Sequence, residues 1–249
     1  MNIDLSGWKV VVTGGSRGIG RAIALTFAQA GAAVSICART APTLRQTETE
    51  LRQVGHPVHA ETCDLREAPA ITRYIEAAAT ALDGIDVLVS NATGFENAGD
   101  AWQNCLDVDL MAAVRCADAA LPHLQNSAHA SIVNISSISG LAASVRTPAY
   151  AAAKAALIQY TTSQALALAP LRIHANGIAP GSVEFPGGFW ENCRAADPAL
   201  YQKVLGGIPL GRYGRPEEIA AVALFLASPL ASWVTGHTVV ADGGQILNR

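Results

Sequence analysis

Thr13-Gly14-Gly15-Ser16-Arg17-Gly18-Ile19-Gly20 follows an apolar run, Trp8 to Val12, and leads into a helical stretch, Arg21 to Ala30. A chain that turns from strand to helix across glycines forms a phosphate cradle. The glycines permit a tight turn and close approach of the backbone to a pyrophosphate, while the helix start offers unpaired N–H groups and the positive end of its dipole. The spacing is Gly-x-x-x-Gly-x-Gly rather than Gly-x-Gly-x-x-Gly, and such a turn is also found as a plain tight connection. In the dinucleotide reading, Gly14, Ser16, Arg17, Gly18, Ile19 and Gly20 meet the cofactor.

Outward from this loop, short apolar strands alternate with helical stretches to the end of the chain. Strands are expected near Lys9–Thr13, Ala33–Cys37, Val58–Thr62, Val87–Ser90, Ser131–Ile135, Arg172–Ile178 and Thr238–Ala241. Helices are expected near Arg21–Ala30, Thr43–Val54, Pro69–Leu82, Trp102–Leu121, Tyr150–Ala169 and Pro216–Ala227. This is the pattern of an α/β fold, a Rossmann-type doubly wound parallel sheet with helices on both faces. No linker or repeat divides the 249 residues, so one domain, 1–249, is expected. Residues 182–207 break the rhythm with Phe185, Pro186, Gly187, Gly188, Phe189 and Trp190. They read as a substrate-binding lid or as a surface excursion packed by its own aromatics.

The end of the second strand selects the cofactor. A carboxylate there would bind a free ribose 2′-hydroxyl and repel a 2′-phosphate. Here the strand ends in Ala38-Arg39, and no Asp or Glu lies between the loop and Glu48. Arg39 offers a donor fork to a phosphate and Arg17 a second positive charge, which favours NADP over NAD. Asp64 and Leu65, after the third strand, are further cofactor candidates. Asp64 suits an adenine amino group, and Asp64-x-x-Glu67 equally reads as a capping box. Asn91-Ala92 closes the fourth strand at the carboxyl edge, where open α/β sheets bind ligands.

Tyr150-Ala151-Ala152-Ala153-Lys154 places a phenol and an ammonium on one helical face. The strand Ser131–Ile135 runs into Ser136-Ser137-Ile138-Ser139-Gly140 and so delivers hydroxyls to the same edge. A tyrosine ionises near pH 10, and a neighbouring ammonium favours the phenolate; lowering it by 2 to 3 units takes about 3 to 4 kcal/mol. Tyr150 then exchanges a proton with a substrate oxygen while hydride passes to or from the cofactor.

Taken together, Thr13-Gly14-x-x-x-Gly18-x-Gly20, Asn91-Ala92, Ser137 thirteen residues before Tyr150, Tyr150-x-x-x-Lys154, Pro180-Gly181 and Val240-Ala241-Asp242-Gly243-Gly244 resemble the short-chain dehydrogenase/reductase family along the whole chain. The resemblance points toward 3-oxoacyl-thioester and ketone reductases. It implies that Ser137 polarises the substrate oxygen, that Tyr150 is the acid/base and that Lys154 binds the nicotinamide ribose and lowers the tyrosine pKa. It places Pro180, Gly181 and the Val183 backbone at the nicotinamide, makes Arg17 and Arg39 typical of NADP-preferring members, and implies a homotetramer.

Three positions depart from the family pattern. Asp109, in Leu106-Asp107-Val108-Asp109-Leu110, stands where relatives carry a catalytic asparagine that holds a relay water. Its charge is expected to alter the electrostatics of the lysine. Asn91-Ala92-Thr93-Gly94 replaces Asn-Ala-Gly, and Phe185 replaces a threonine that binds the cofactor in relatives.

Phe95, Phe185, Phe189 and Trp190 are expected on the substrate side, which fits an apolar or aromatic ketone, or its alcohol, as the small-molecule substrate. The rival readings are a non-catalytic NADP-binding sensor or interaction protein, and an NAD-linked secondary alcohol dehydrogenase. With 17 basic and 20 acidic residues, nothing marks a nucleic-acid or membrane-surface partner. Six scattered histidines give no metal-ligand spacing, and no metal is expected. An odd five cysteines without Cys-x-x-Cys, no apolar run of membrane length and no signal-peptide core lead to a cytoplasmic expectation.

Overall fold

The computed structural model describes residues 3–95 and 101–248. Its strands are β1 (Lys9–Thr13), β2 (Ala33–Ala38), β3 (Val58–Thr62), β4 (Val87–Ser90), β5 (Ser131–Ile135), β6 (His174–Pro180) and β7 (Thr238–Ala241). All pair in parallel, in the order β3-β2-β1-β4-β5-β6-β7. The chain reverses its direction of winding between β1 and β4, and ligands bind at such a switch point, outside the carboxyl ends of the strands.

Side chains alternate along each strand, so each face of the sheet has its own core. Val10, Val12, Ile36 and Val89 pack with Ile23 and Phe27 of α1 (Gly18–Gln29) and with Ile219 and Leu226 of a late helix, Pro216–Ala227. Val11, Leu88 and Ile132 pack on the other face with Ile71 and Ile75 of an early helix, Ala68–Leu82, and with Leu124. Because both faces are covered, the strands read as nearly unbroken apolar runs.

The remaining helices are α2 (Ala41–Val54), α3 (the early helix, Ala68–Leu82), α4 (Ala101–Cys105), α5 (Ala112–Leu124), α6 (Pro148–Leu168), α7 (Phe189–Ala196), α8 (Pro198–Gly206) and α9 (the late helix, Pro216–Ala227). Three elements differ from expectation. The sixth strand starts at His174 rather than Arg172, because Arg172 takes a left-handed conformation, φ 58°, to end the 3₁₀ turn Ala169–Leu171. The single helix expected over Trp102–Leu121 is interrupted by a π-helical stretch, Leu106–Met111, between α4 and α5. Such widened turns recur at functional sites, and this one carries Asp109 into the interior, 1% exposed. Finally, residues 182–207 contain α7 and α8, whose Cys193 and Tyr201 form a small core of their own with Ile208 and Tyr213.

Candidate active site

The glycine loop is held by contacts that only glycine permits. Gly14 and Gly18 have φ of +67° and +54°, where an L side chain is strained. A Cβ on Gly20 would lie 2.3 Å from both Gly14 O and Asn91 Nδ2. Asn91 occupies that space: its amide donates to Thr13 O at 3.0 Å and Gly14 O at 3.1 Å, and its N–H donates to Thr13 Oγ1 at 3.0 Å. Asn91 therefore braces the loop from β4. Thr47 of α2 does the same from the far side, donating to Ser16 O at 3.0 Å. The α1 start has no side-chain cap and no acidic residue in its first turn. Its uncapped dipole end thus suits an anionic diphosphate.

A cavity of about 760 Å³ runs along the carboxyl ends of the strands. Gly14, Ser16, Arg17, Ile19 and Gly20 line it beside α1, with Arg39, Asp64 and Leu65 at one end. Asn91, Ala92, Pro180, Gly181 and Val183 lie in the middle, and Ser137, Tyr150 and Lys154 complete the wall. Two expected site residues do not line it. Gly18 is covered by Phe185, whose ring a Cβ on Gly18 would meet at 2.5 Å, and Asp109 stands behind Lys154. At the arginine end, Asp64 forms no capping box. Its carboxylate accepts Arg66 N–H at 3.0 Å and pairs with the Arg66 guanidinium, leaving Glu67 to start α3 without a side-chain cap. These hydrogen bonds from Arg66 hold the Asp64 carboxyl down at about 2. A nearby guanidinium wins because it offers both charge and several donors, which a backbone N–H does not.

Ser137, Tyr150 and Lys154 meet because β5 and α6 are tied together. Asn134 in β5 donates to Thr161 Oγ1 and Gln164 Oε1 of α6 at 2.9 and 3.1 Å, and Ser136 Oγ donates to Lys154 O at 2.9 Å. Gly140 lets the turn after β5 approach α6, since a Cβ there would lie 2.7 Å from Ala155 N. Ser137 Oγ accepts Ser139 N–H at 3.1 Å and faces the Tyr150 hydroxyl, drawing the phenol toward ionisation. Lys154 Nζ donates to Ile135 O at 2.8 Å and lies 3.0 Å from Asp109 Oδ1.

The electrostatics differ from the expectation of a lowered tyrosine. Burial pushes the Tyr150 phenol up, Lys154 pulls it down, and Asp109 pushes it up again; the balance lies above the ordinary value. Lys154 acts in the expected direction, but burial outweighs it and Asp109 takes back part of its effect.

A sequence profile described as enoyl-(acyl carrier protein) reductase matches residues 14–245. The isoepoxydon dehydrogenase of Penicillium expansum is 37% identical, over 98% of this chain and 96% of its own length. The 3-oxoacyl-[acyl-carrier-protein] reductase of Aquifex aeolicus is 35% identical over 98% of this chain and all of its own. The NADPH-bound structure of a short chain oxidoreductase from Pseudomonas aeruginosa, which contains an atypical catalytic center, superposes with a TM-score of 0.89 at 37% identity, covering 97% of each chain. The chain belongs to the short-chain dehydrogenase/reductase family. It is accordingly an oxidoreductase.

The cavity has further lining residues that the sequence alone did not mark. Ser139, Ser144, Arg146 and Thr147 also line the cavity, as do Leu200 and Val204 of α8. No local pattern singles them out, because they converge on the cavity only in the folded chain. Gln245 was missed too: its Oε1 accepts Ser182 N–H at 2.9 Å and fixes the chain just after Pro180-Gly181. Phe95 packs edge-on against Tyr150 at 5.1 Å and against Phe189 at 5.6 Å, and Phe189 meets Trp190 at 4.9 Å. Phe185, expected with them, lies instead at the glycine loop.

Proposed function

We propose that this oxidoreductase reduces an apolar or aromatic ketone to a secondary alcohol with NADPH, reversibly, with Tyr150 exchanging the proton. The observation that carries this reading is the convergence of Ser137, Tyr150 and Lys154 on one cavity whose opposite end presents Arg17 and Arg39. The residues fit the cofactor. The uncapped α1 start takes the diphosphate, the two arginines take a 2′-phosphate, and Lys154 keeps one donor beyond Asp109 and Ile135 for the ribose. Bound NADPH supplies the hydride that the carbonyl carbon receives. Ser137 holds the carbonyl oxygen, and Tyr150 donates its phenolic proton to that oxygen.

Phe95, Phe189 and Trp190 form the apolar wall beside Tyr150, and residues 182–207 act as the lid that closes over the substrate. Arg17 Nη1 reaches Gly187 O at 3.4 Å, which links this segment to the cofactor cradle. Exchanging Phe189 or Trp190 for alanine is expected to raise KM for aryl ketones about tenfold, the worth of roughly 1.4 kcal/mol of lost apolar contact. An unchanged KM in both variants overturns the aromatic wall.

The chain works as a homotetramer. Leu166 on α6 is 80% exposed, and Phe225, Trp233, Val240 and Leu247 lie open around α9 and the edge strand β7. Apolar groups gathered on two faces are what a closed assembly buries. Sedimentation should give the mass of four chains, and Trp233→Asp with Leu247→Asp should reduce it to two; a monomeric parent overturns the assembly.

The test of the reaction is NADPH consumption against aryl ketones, β-ketoesters and 3-oxoacyl thioesters, run beside NADH. Preferential consumption of NADPH with a ketone supports the reading. NADPH binding without turnover on any carbonyl favours a cofactor sensor instead, and preference for NADH favours an NAD-linked dehydrogenase.

A further inference from the structure

Lys154 stands between three groups. Its ammonium donates to Ile135 O at 2.8 Å, lies 3.0 Å from Asp109 Oδ1 and sits 5.7 Å from the centre of the Tyr150 ring. The Lys154 and Asp109 side chains are 3% and 0% exposed, so solvent screens their attraction little. Asp109 is fixed from its other side as well. Its Oδ2 accepts the Gly94 N–H at 3.0 Å, while Asn104 Nδ2 of α4 donates to Gly94 O at 2.7 Å. The carboxylate therefore cannot turn away from the lysine without abandoning a buried N–H, which costs about 1 to 3 kcal/mol.

A lone ammonium beside a phenol favours the phenolate; an ammonium paired with a carboxylate presents a dipole whose field falls off faster. The groups that face Tyr150 are Lys154 on α6, Asp109 on the π-helical stretch, the Cys105 thiol at the end of α4 and the Ser137 hydroxyl after β5. Lys154 is the one cation among them, and Asp109 opposes part of its effect. Burial alone would draw the lysine down, yet Asp109 and Tyr150 hold it above its ordinary value, so it persists as an ammonium.

We propose that Asp109 is a positioning residue that sets the pH at which this site changes from proton donor to proton acceptor. By pairing with Lys154 it blunts the pull of the ammonium on the Tyr150 proton, so that the phenolate needed for alcohol oxidation forms at higher pH than an unpaired lysine would allow. The inference rests on the reading of Tyr150 as the proton-exchanging group. In the reductive direction the carbonyl carbon gains a hydride, with its electron pair, from NADPH, which leaves as NADP⁺. The Tyr150 O–H bond breaks as the alcohol O–H bond forms, and water returns the proton to the phenolate. Oxidation reverses each transfer and needs the phenolate at the outset. Raising the pH toward the Tyr150 ionisation therefore speeds oxidation and, beyond it, slows reduction.

Asp109→Asn removes the charge at equal size and keeps an acceptor for Gly94 N–H. The first readout needs no turnover: the tyrosinate ultraviolet absorbance of the cofactor-free protein is titrated, and a Tyr150→Phe titration is subtracted to isolate one ring. Tyr150 is expected to ionise above its ordinary value in the parent and about 1 to 2 units lower in the variant. The ascending limb of kcat/KM for alcohol oxidation should move to lower pH by the same amount. Should the asparagine variant not fold, Asp109→Ser carries the same readout. An unmoved titration in a folded variant overturns the inference whatever the activity. A moved titration without turnover on any ketone or alcohol supports it and overturns only the proposed reaction.

Discussion

Replacing Tyr150 with phenylalanine is expected to lower turnover about 10³-fold while leaving NADPH affinity within about threefold. The substitution removes one oxygen. The ring keeps its edge-on contact with Phe95 at 5.1 Å and its place beneath Lys154 Nζ at 5.7 Å, so the wall of the cavity survives. What is lost is the hydroxyl that faces Ser137, and with it the proton for the carbonyl oxygen. Water is a poor substitute because the ring closes the space in which it would have to sit. Steady-state NADPH oxidation measures the loss, and fluorescence titration of NADPH checks that binding is retained. Turnover retained within tenfold would remove Tyr150 from the proton transfer and leave Ser137 or a solvent molecule as the donor.

The second large effect is expected from Arg39→Asp. Arg39 follows β2 and lines the cavity with Asp64, and Arg17 of the glycine loop lines the same cavity. A charge-assisted hydrogen bond contributes about 1.5 to 3 kcal/mol, or roughly 10- to 150-fold in an equilibrium. A carboxylate in its place adds repulsion toward a 2′-phosphate and gains a partner in a free 2′-hydroxyl. The expected result is a loss of about 10²-fold in kcat/KM with NADPH, together with a rise for NADH. Arg39→Ala should lose less, about tenfold, because Arg17 remains. Equal use of both cofactors by the parent, or an unchanged preference in the variant, overturns the assignment of the 2′-phosphate to this end.

Much of this architecture is legible in the chain itself. A parallel strand covered on both faces reads as a short apolar run, and glycine or proline marks most of its ends; β1, β3, β4, β5 and β7 accordingly fall where the pattern puts them. Gly14, Gly18 and Gly20 are readable because their backbone angles and close contacts exclude other residues. The proximity of Tyr150 and Lys154 follows from helical periodicity alone. The two helices α7 and α8 are less visible, since their burial against Tyr213 and Ile208 comes from beyond the segment rather than from a periodic stripe within it.

The sequence by itself determined a doubly wound parallel sheet, a glycine cradle at its switch point and the residue types available for proton transfer, because these depend on local backbone freedom and short-range periodicity. Only the tertiary structure decided what those residues do to one another. Asp109 reaches Lys154 because a π-helical stretch packs against α6, Phe185 covers Gly18 because the chain after β6 folds back over α1, and Asp64 serves Arg66 instead of the start of α3. A charge acts through distance and burial, and neither is written in the spacing of residues along a chain.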